Sequence, residues 1–430
     1  MNKTSGINRR RFLQTAGTAA AIAAAGPALV GAAEPASDPV RIAHIGTGVR
    51  GWDLIKYTGS HKGAKVVAVC DVYKPHLQRG LDASNNPEVK AVTDYRDVLA
   101  DPQVEAVVIA TPDHWHEQML IDAVNAGKDV YCEKGWTTSI AAAKRMRAAV
   151  KQQGRIMQLG HQGRQWPAAT AGGDLIRANR IGPLTFVKVG RYFNGTPDRA
   201  PWRWFGNYSW YDRPDPVQVR ADLDWEKWLG SAPAIDFNER HFWHWRCYWP
   251  YGTGQAGDLL SHEMDFVQTV LGWGIPDTCV CAGLNAFWKD DREVPDTWLA
   301  TYQFERQDCT AVFEGIMNSN RMQTPEFIGR DGRIIYNGIG QDANRYEVYP
   351  DAPAWRMGDT PAEPAERFDP AAAPSQPTHM EDFFEAVRTR KPTRCNEDEA
   401  FIEAATLLMS VESYKQKRQV RWDKEREEIV

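Results

Sequence analysis

The chain has 430 residues, of which 43% are hydrophobic and 25% charged, values typical of a globular protein with two or three domains and a large core. Its net charge is −5, and removal of the four cations in residues 1–33 takes it to −9, which argues against nucleic acid or an anionic membrane as the main partner. The seven cysteines form no C-x-x-C pair, so we expect neither a zinc site nor a disulfide framework.

The first 33 residues have the pattern of an export signal. The segment from Asn8 to Gln14, NRRRFLQ, resembles the twin-arginine export motif, and an apolar stretch rich in Ala and Gly follows as far as Val30. This stretch is too short for a membrane span, and the small residues at 31–33 suit a signal peptidase. We therefore expect residues 1–33 to be a twin-arginine signal peptide and the mature protein to be periplasmic or secreted.

From residue 40 to residue 160, short apolar runs alternate with stretches of helical character. This alternation predicts βαβ units and a doubly wound parallel sheet, because parallel strands need a crossover between them. The expected strands are 40–45, 64–70, 104–110, 128–132 and 155–159, and the expected helices include 94–100, 115–126 and 139–153.

The first of these strands leads into a glycine-rich turn. The turn is a G-x-G-x-x-G, formed by Gly46, Thr47, Gly48, Val49, Arg50 and Gly51. In a dinucleotide site the first glycine makes the tight turn, the second lets the backbone approach the pyrophosphate, and the third allows close helix–strand packing. Asp71 follows the second strand, where an acidic residue binds the ribose hydroxyls and disfavours the 2′-phosphate of NADP. We therefore predict an NAD-binding Rossmann domain over residues 38–160, with NADP the less favoured cofactor.

Polar residues follow the next three strands, at the edge of the sheet where ligands bind. Besides the glycine turn and Asp71, the predicted cofactor contacts are therefore Thr111, Pro112, His114, His116, Glu133, Lys134 and Gln162. The histidines of 113–116 and 241–244 have no clear metal-ligand spacing, so we expect no metal.

Beyond residue 160 the pattern changes, and we assign 161–422 to a second domain that binds substrate and forms oligomers. The expected elements are helices at 167–180, 255–271, 379–390 and 397–417 and strands at 184–192, 278–288, 297–306, 309–317 and 332–336. A loop is expected at 350–376 and a frayed tail at the end of the chain. Eight tryptophans between residues 202 and 249 suit a carbohydrate, because flat aromatic faces pack on the C–H faces of sugar rings.

Two places along the chain carry residues suited to proton transfer. Lys134, at a strand end beside a nicotinamide, can donate to a substrate hydroxyl and stabilise negative charge on its oxygen. His262 can accept the hydroxyl proton, and Asp258 lies one helical turn before it, where it is expected to orient the ring. We predict these three residues to be catalytic, whereas Asp265 lies on an adjacent face and is expected to be structural.

Several motifs together resemble one family. These are GTGVRG after the first strand, ATPDHWH, CEKG, GDLLSHEMD, VRTRKPTRCNEDEAF and the closing VRW. The set is similar to the glucose–fructose oxidoreductase, inositol dehydrogenase and MocA (Gfo/Idh/MocA) family over residues 40–422. The resemblance implies a second α/β domain with a large open, mainly antiparallel sheet, and redox chemistry at a sugar or polyol carbon. It also assigns the catalytic set to Lys134, Asp258 and His262, with Gly135 where the family usually has proline.

Three functions remain open at this point. The first is an NAD-dependent oxidoreductase that moves hydride between a sugar or glycoside hydroxyl carbon and bound nicotinamide. The second is an NAD-dependent glycoside hydrolase that works by transient oxidation, elimination and re-reduction. The third is a non-catalytic sensor of nucleotide and sugar. For all three we expect a small carbohydrate ligand, no nucleic-acid or membrane partner, and a homo-oligomer.

Overall fold

The structure is a computed structural model that describes residues 38–193, 215–319, 321, 323–337, 344–351 and 363–430. The predicted signal peptide lies outside the described residues, as do three of the eight tryptophans of the 202–249 region. Within the described part of the chain, no helix has the length and apolar character needed to cross a membrane.

A six-stranded parallel sheet organises the first part of the chain, with strand order β3-β2-β1-β4-β5-β6. Its strands are β1 (Val40–Ile45), β2 (Ala64–Cys70), β3 (Lys90–Val92), β4 (Ala106–Ile109), β5 (Asp129–Cys132) and β6 (Met157–Leu159). Its helices are α1 (Val49–Ser60), α2 (Lys74–Ala83), α3 (Tyr95–Ala100), α4 (His116–Asn125) and α5 (Ile140–Gln153). This order is that of a Rossmann fold, so the predicted doubly wound sheet is confirmed.

The local sequence explains where these elements begin and end. β4 and β5 are buried along their whole length, as expected of central parallel strands covered on both faces. The Ser139 side chain accepts a hydrogen bond from the Ala142 amide at the start of α5, and Gly154 ends that helix in the left-handed region. β3 was not predicted because its three residues are exposed or half-buried and form no apolar run.

A ten-stranded sheet organises the second part, in the order β14-β13-β12-β11-β7-β10-β9-β8-β15-β16. Its strands are β7 (Leu184–Tyr192), β8 (Thr278–Leu284), β9 (Thr297–Phe304), β10 (Cys309–Ile316), β11 (Glu326–Gly329), β12 (Gly332–Tyr336), β13 (Tyr346–Pro350), β14 (Glu366–Phe368), β15 (Val420–Asp423) and β16 (Glu428–Ile429). The β7–β10 pair is parallel and the other pairs are antiparallel. The expected large, mainly antiparallel sheet is therefore confirmed.

Seven further helices accompany this sheet among the described residues. They are α6 (Pro167–Arg177), α7 (Pro216–Asp222), α8 (Trp225–Leu229), α9 (Glu239–Trp243), α10 (Ser261–Leu271), α11 (His379–Thr389) and α12 (Glu397–Gln416). A π-helical turn, Ala256–Leu260, directly precedes α10, so the predicted helix at 255–271 is present but wider than an α-helix at its start. Met380, Phe383 and Phe384 of α11 pack with β1, β4 and β5 of the first sheet, which joins the two ends of the chain.

The sequence prediction was wrong about the end of the chain. Instead of fraying, β15 pairs with β8 at the edge of the large sheet, and the side chain of Trp422 is buried. The predicted loop at 350–376 likewise contains β14 in its described part. These strands are two to four residues long, so they lack the apolar periodicity that identifies longer strands.

Candidate functional site

A cavity of about 330 Å³ opens at the carboxyl ends of β1, β2, β4 and β5, where the strand order reverses. It is lined from both parts of the chain. Of the predicted cofactor residues, those that line it are Gly46, Gly48, Val49, Arg50, Asp71, Thr111, Pro112, Glu133, Lys134 and Gln162. From the second part of the chain, Lys227, Trp228, Phe242, Trp243, Trp245, Arg246 and His262 complete the lining. The cavity therefore brings together ten of the fourteen predicted cofactor residues and two of the three predicted catalytic residues.

The three glycines of the turn are required for different reasons. Gly46 has φ +84°, and a Cβ there would lie 2.7 Å from the Ala110 carbonyl oxygen. A Cβ on Gly51 would collide with the Gly46 carbonyl oxygen, so helix α1 packs on the turn only without it. Gly48 differs, because its Cβ would meet nothing closer than His76 at 3.7 Å. The space beside Gly48 is therefore left open by the protein, which fits close approach of a dinucleotide phosphate.

Asp71 is held in place from the glycine turn. Its Oδ2 accepts hydrogen bonds from the Thr47 amide at 2.8 Å and the Thr47 hydroxyl at 3.1 Å, and its Oδ1 accepts one from the Tyr73 amide at 2.9 Å. Burial acts to raise the pKa of Asp71, but His76 and these hydrogen bonds outweigh it and lower the pKa. Thr47 thus orients Asp71 rather than lining the cavity, and the ionised carboxylate keeps acceptor positions for ribose hydroxyls.

Glu133 and Arg50 face each other across the cavity floor. The Arg50 Nε donates to Glu133 Oε1 at 2.7 Å. Burial acts to raise the pKa of Glu133, but the Arg50 charge and hydrogen bond lower it overall, so the pair is ionic. Gln162 is fixed nearby, where its amide donates to the Tyr131 hydroxyl at 3.0 Å. These contacts fix the orientation of polar groups that line the cavity.

His114 and His116, which were predicted to contact the cofactor, are not among the residues that line the cavity. Both ring nitrogens of His116 face backbone carbonyls, that of Gly135 at 2.9 Å and that of Thr111 at 3.0 Å. The His114 ring lies 3.1 Å from the Trp228 carbonyl oxygen, and burial lowers its pKa to about 4. These histidines tie neighbouring loops together because strand-end loops leave backbone carbonyls that need partners.

Lys134 lies in a cluster with Asp258 and Arg246. The Lys134 ammonium donates to the Asp258 carbonyl oxygen at 2.7 Å and contacts the Asp258 carboxylate. Arg246 Nε lies 3.2 Å from the same carboxylate, and its guanidinium stacks 4.0 Å above the Trp245 ring. The Asp258 side chain is 2% exposed, so one buried carboxylate holds two cations at the cavity wall. This arrangement favours the charged ammonium of Lys134.

His262 differs from the prediction in what holds it. Its ring packs edge to face on His161, with centroids 5.1 Å apart, and makes no hydrogen bond to a described residue. Asp258 instead directs its carboxylate to the two cations, so it does not orient the His262 ring as expected. Asp258 belongs to the π-helical turn that precedes α10, and His262 to α10 itself.

The protonation state of His262 follows from its surroundings. Burial, followed by the charges of Lys134, His161 and Arg191, lowers the pKa of His262 well below 6.5, and the opposing effect of Asp258 is smaller. The ring is therefore neutral at pH 7 and can accept a proton. Lys134 and His262 thus carry different charges at the same wall of the cavity.

Several site residues were not identified from the sequence. Arg246 lines the cavity, His161 contacts His262, and Glu403 of α12 lies 3.3 Å from His161. Their only sequence signal was position, since His161 follows a predicted strand end. Asp265, expected to be structural, forms a buried ion pair with Arg164 at 2.7 Å. Among the described residues, no group of His, Cys, Asp and Glu side chains is arranged to hold a metal ion.

The tryptophans of the 202–249 region divide between the cavity and the core. Trp228, Trp243 and Trp245 line the cavity, whereas Trp225 is buried and stacks on Trp228 with ring centroids 4.8 Å apart. The cavity therefore presents aromatic faces as well as charged groups, as carbohydrate sites do.

Two family models match this chain. The model described as the oxidoreductase family with an NAD-binding Rossmann fold, GFO_IDH_MocA, matches residues 40–161. The model described as the oxidoreductase family with a C-terminal alpha/beta domain, GFO_IDH_MocA_C2, matches residues 197–430.

Individual relatives are similar over parts of their length. Inositol 2-dehydrogenase 1 of Saccharopolyspora erythraea is 37% identical over 150 residues, which are 34% of this chain and 44% of that protein. A glycosyl hydrolase family 109 protein of Shewanella baltica is 32% identical over 152 residues, 30% of this chain and 33% of that protein. The chain therefore matches less than half of the length of these curated relatives.

A solved structure matches nearly the whole fold. The WlbA dehydrogenase from Bordetella pertussis, crystallised with NADH and UDP-GlcNAcA, has a TM-score of 0.64 at 19% identity. The match covers 90% of this chain and 99% of that chain. At this identity the likeness shows the fold alone.

Proposed function

Because the chain belongs to the Gfo/Idh/MocA oxidoreductase family and carries its NAD-binding Rossmann domain, we propose that it is a carbohydrate oxidoreductase acting at a carbon that bears a hydroxyl group. The observation that carries this proposal is the joining of two features in one cavity. Gly46 and Gly48 of the glycine turn, Asp71, Lys134 and His262 all line that cavity. NAD, when bound, supplies the acceptor or donor of the hydride.

In this proposal Lys134 and His262 have different roles at the substrate hydroxyl. When the carbon is oxidised, its hydroxyl must lose a proton, and the neutral ring of His262 accepts it. The ammonium of Lys134, held by Asp258, donates a hydrogen bond to the same oxygen and stabilises the negative charge that develops there. The tryptophan rings of the wall pack on the sugar and exclude water.

A second candidate is an NAD-dependent glycoside hydrolase. It is favoured by the match to a glycosyl hydrolase family 109 protein over 152 residues at 32% identity. Transient oxidation of a ring carbon acidifies the neighbouring C–H bond, so the same acid–base residues serve elimination of the leaving group. The two candidates differ in their products, since only the dehydrogenase releases reduced cofactor in net amounts.

The test begins with native mass spectrometry of the purified protein, which identifies any nucleotide that co-purifies. The protein is then incubated with NAD and a panel of free sugars, polyols, sugar acids and nitrophenyl glycosides. Net NADH formation with a member of the panel supports the oxidoreductase. Release of nitrophenol without net NADH supports the hydrolase. Binding of NAD and a sugar with no turnover in either assay contradicts both enzymatic functions and supports the non-catalytic sensor.

A further inference from the structure

The ring of His262 is held at the cavity wall by packing, since it makes no hydrogen bond to a described residue. It packs on the ring of His161, with centroids 5.1 Å apart and an angle of 84° between the two planes. His262 lines the cavity, whereas His161 is not among the lining residues. His161 therefore contacts a residue of the site without lining the cavity itself.

The backbone of His161 is fixed on both sides. The residue lies between β6 and a short 3-10 turn, Gln162–Gln165. Its amide donates to the Leu159 carbonyl oxygen at 2.7 Å, and its carbonyl oxygen accepts from the Arg164 amide at 3.3 Å. With the backbone fixed in this way, the orientation of the His161 ring depends on the contacts of its side chain.

Glu403 of α12 provides such a contact. His161 Nε2 lies 3.3 Å from Glu403 Oε1 in a hydrogen bond, and each side chain is 1% exposed. The other oxygen of this carboxyl makes no hydrogen bond to a described residue. Burial of such a pair is costly compared with apolar side chains of similar size, so stability does not explain its presence. A directional hydrogen bond does, however, fix the plane of the His161 ring.

A second set of contacts connects the same three segments. Arg164 of the 3-10 turn lies 2.7 Å from Asp265 and 2.9 Å from Glu399. Asp265 comes three residues after His262 in α10. Glu399 comes one helical turn before Glu403 in α12. These ion pairs hold the backbone of α10 against the turn, whereas the rotation of the His262 side chain is left to the ring contact described above.

We propose that His161 is a positioning residue for His262, and that Glu403 acts through it by holding the His161 ring in the orientation on which His262 packs. This inference rests on the proposed function for its catalytic meaning, because there His262 accepts the hydroxyl proton. A ring that rotates freely presents its nitrogen to the hydroxyl for only part of the time. Misplacement of a reacting group by about 1 Å is enough to lower a rate by about 10²-fold.

The first experiment compares two substitutions of Glu403 and needs no substrate. Glu403→Gln keeps a hydrogen-bonding group beside the His161 ring, whereas Glu403→Met has a similar length without one. The full chain is labelled with 13C at Cε1 of histidine, and the His262 signal in the NMR spectrum is the one missing in His262→Gln. We expect this signal to shift and broaden in Glu403→Met and to keep its wild-type position in Glu403→Gln.

The matched control is Glu412→Met in the same helix, because that carboxylate accepts a hydrogen bond from Gln416 at 2.8 Å and has no described contact with His161. The His262 signal should not move in this variant. An unchanged His262 signal in Glu403→Met would overturn the proposal, and so would an equal shift in the control.

If Glu403→Met does not fold, relaxation of the ring signals in the wild-type chain replaces it. His116 is the reference, because both of its ring nitrogens face backbone carbonyls, at 2.9 Å and 3.0 Å. We expect the His262 ring to be as rigid as that of His116 on the ps–ns timescale. Motion of clearly larger amplitude in His262 would contradict the proposal.

The second experiment uses a substrate found in the panel and measures kcat and KM separately. Glu403→Met should lower kcat about tenfold, and Glu403→Gln by less than about twofold, because only the first loses the hydrogen bond to His161. Glu403 does not line the cavity, so KM and the affinity for NADH should stay near their wild-type values in both variants. A purely structural role would lower stability without this selective loss of kcat. Equal kcat values for the two variants would overturn the proposal.

The two proposals fail separately. A panel without turnover contradicts the proposed function and leaves the NMR comparison of the Glu403 variants intact. Turnover with equal kcat values for these variants contradicts the positioning role and leaves the oxidoreductase in place.

Discussion

At the scale of single residues, Lys134 and His262 carry different charges because they have different neighbours in the cavity wall. Lys134 contacts a carboxylate, which favours its ammonium form, whereas His262 is buried near cations, which favour its neutral ring. Oxidation of a hydroxyl requires both states at once, one to take the proton and one to stabilise the oxygen. In the proposed reaction the two residues therefore have different roles.

We expect Lys134→Ala and His262→Ala each to lower kcat by about 10²-fold or more, the range for loss of a positioned acid–base group. Asp258→Asn should be intermediate, since it leaves Lys134 in place without its counter-charge. NAD affinity should change little in all three. Steady-state rates and fluorescence titration with NADH measure both quantities, with Lys151→Ala, an exposed lysine paired with Asp398, as the control. Near-normal turnover of His262→Ala would contradict the catalytic assignment and indicate that His262 is structural.

Asp71 should make the protein prefer NAD(H) over NADP(H) by about tenfold or more. Its lowered pKa keeps it ionised, and the negative charge opposes the 2′-phosphate of NADP. Lys74, a cation three positions beyond Asp71, lies 3.4 Å from the Asp222 carboxylate. Affinities for NADH and NADPH, compared between the wild-type chain and Asp71→Ala, measure the preference. Equal or tighter binding of NADPH by the wild-type chain would refute it.

At the scale of elements, the site depends on the β1–turn–α1 unit. Its helix approaches the turn so closely that two of the three glycines serve the protein's own packing. The third leaves space toward the cavity. Gly46 and Gly51 are therefore needed for the stability of the fold, whereas Gly48 is predicted to be needed for cofactor binding.

Substitution of single glycines separates these two roles. Gly51→Ala should destabilise the fold by about 3 kcal/mol or prevent folding, because its Cβ meets a backbone oxygen that cannot move aside. Gly48→Ala should change stability by less than about 1 kcal/mol, since its Cβ finds ordinary contacts, but should weaken NADH binding about tenfold or more. Urea unfolding and NADH titration measure the two effects. Normal NADH binding by Gly48→Ala would argue against a phosphate site there.

The carboxyl-terminal strands β15 and β16 are a second element that packs closely on its neighbours. The sequence did not predict them. Trp422 of β15 packs on Phe401 of α12 with ring centroids 6.1 Å apart, and its amide donates to the Asp277 carbonyl oxygen at 3.0 Å. The last residues therefore close the edge of the large sheet and cover the helix that carries Glu403.

Trp422→Ala should lower the free energy of unfolding by about 3–5 kcal/mol, the usual cost of removing a buried tryptophan. Lys424→Ala is the matched control, because its ion pair with Asp277 is partly exposed and worth less than about 1 kcal/mol. Urea denaturation of the two variants gives the comparison. A loss below about 1 kcal/mol for Trp422→Ala would mean that the tail contributes little and frays as the sequence predicted.

At the scale of the whole molecule, the chain combines a cofactor site with a predicted export signal. Twin-arginine export carries folded proteins, so a protein that loads NAD in the cytoplasm can reach a compartment without a nucleotide pool. The seven cysteines are buried and free. The expected homo-oligomer and the domain bounds stay predictions.

Export should require the Arg9–Arg10 pair. Replacement of both arginines by lysine should leave the protein in the cytoplasm with its signal uncleaved, because the export machinery reads the arginine pair and not charge alone. Fractionation and amino-terminal sequencing measure the outcome, and the mature chain should begin near Ala33 or Glu34. Processed protein outside the cytoplasm in the double variant would contradict the assignment.

Local sequence signals were sufficient to predict the Rossmann sheet, the glycine turn and the main helices. Apolar runs alternate with amphipathic stretches, and the turn glycines lie within six consecutive chain positions. The strand ends of a parallel sheet converge on one edge, so strand positions alone predict that Asp71, Glu133, Lys134 and Gln162 lie together, and all four line the cavity. The strands β3, β11 and β13–β16 are two to five residues long, too short for a clear periodicity, and were missed.

The pairing of the charged groups, in contrast, depends on the tertiary structure. Asp258 was expected to orient His262 because regular helical geometry puts them on one face, but its carboxylate pairs with two cations from other segments. His114 and His116 instead contact backbone carbonyls that a linear pattern does not reveal. The partner of a buried charged group depends on which groups lie nearest in space. Contacts between residues far apart in the chain cannot be read from the local sequence pattern.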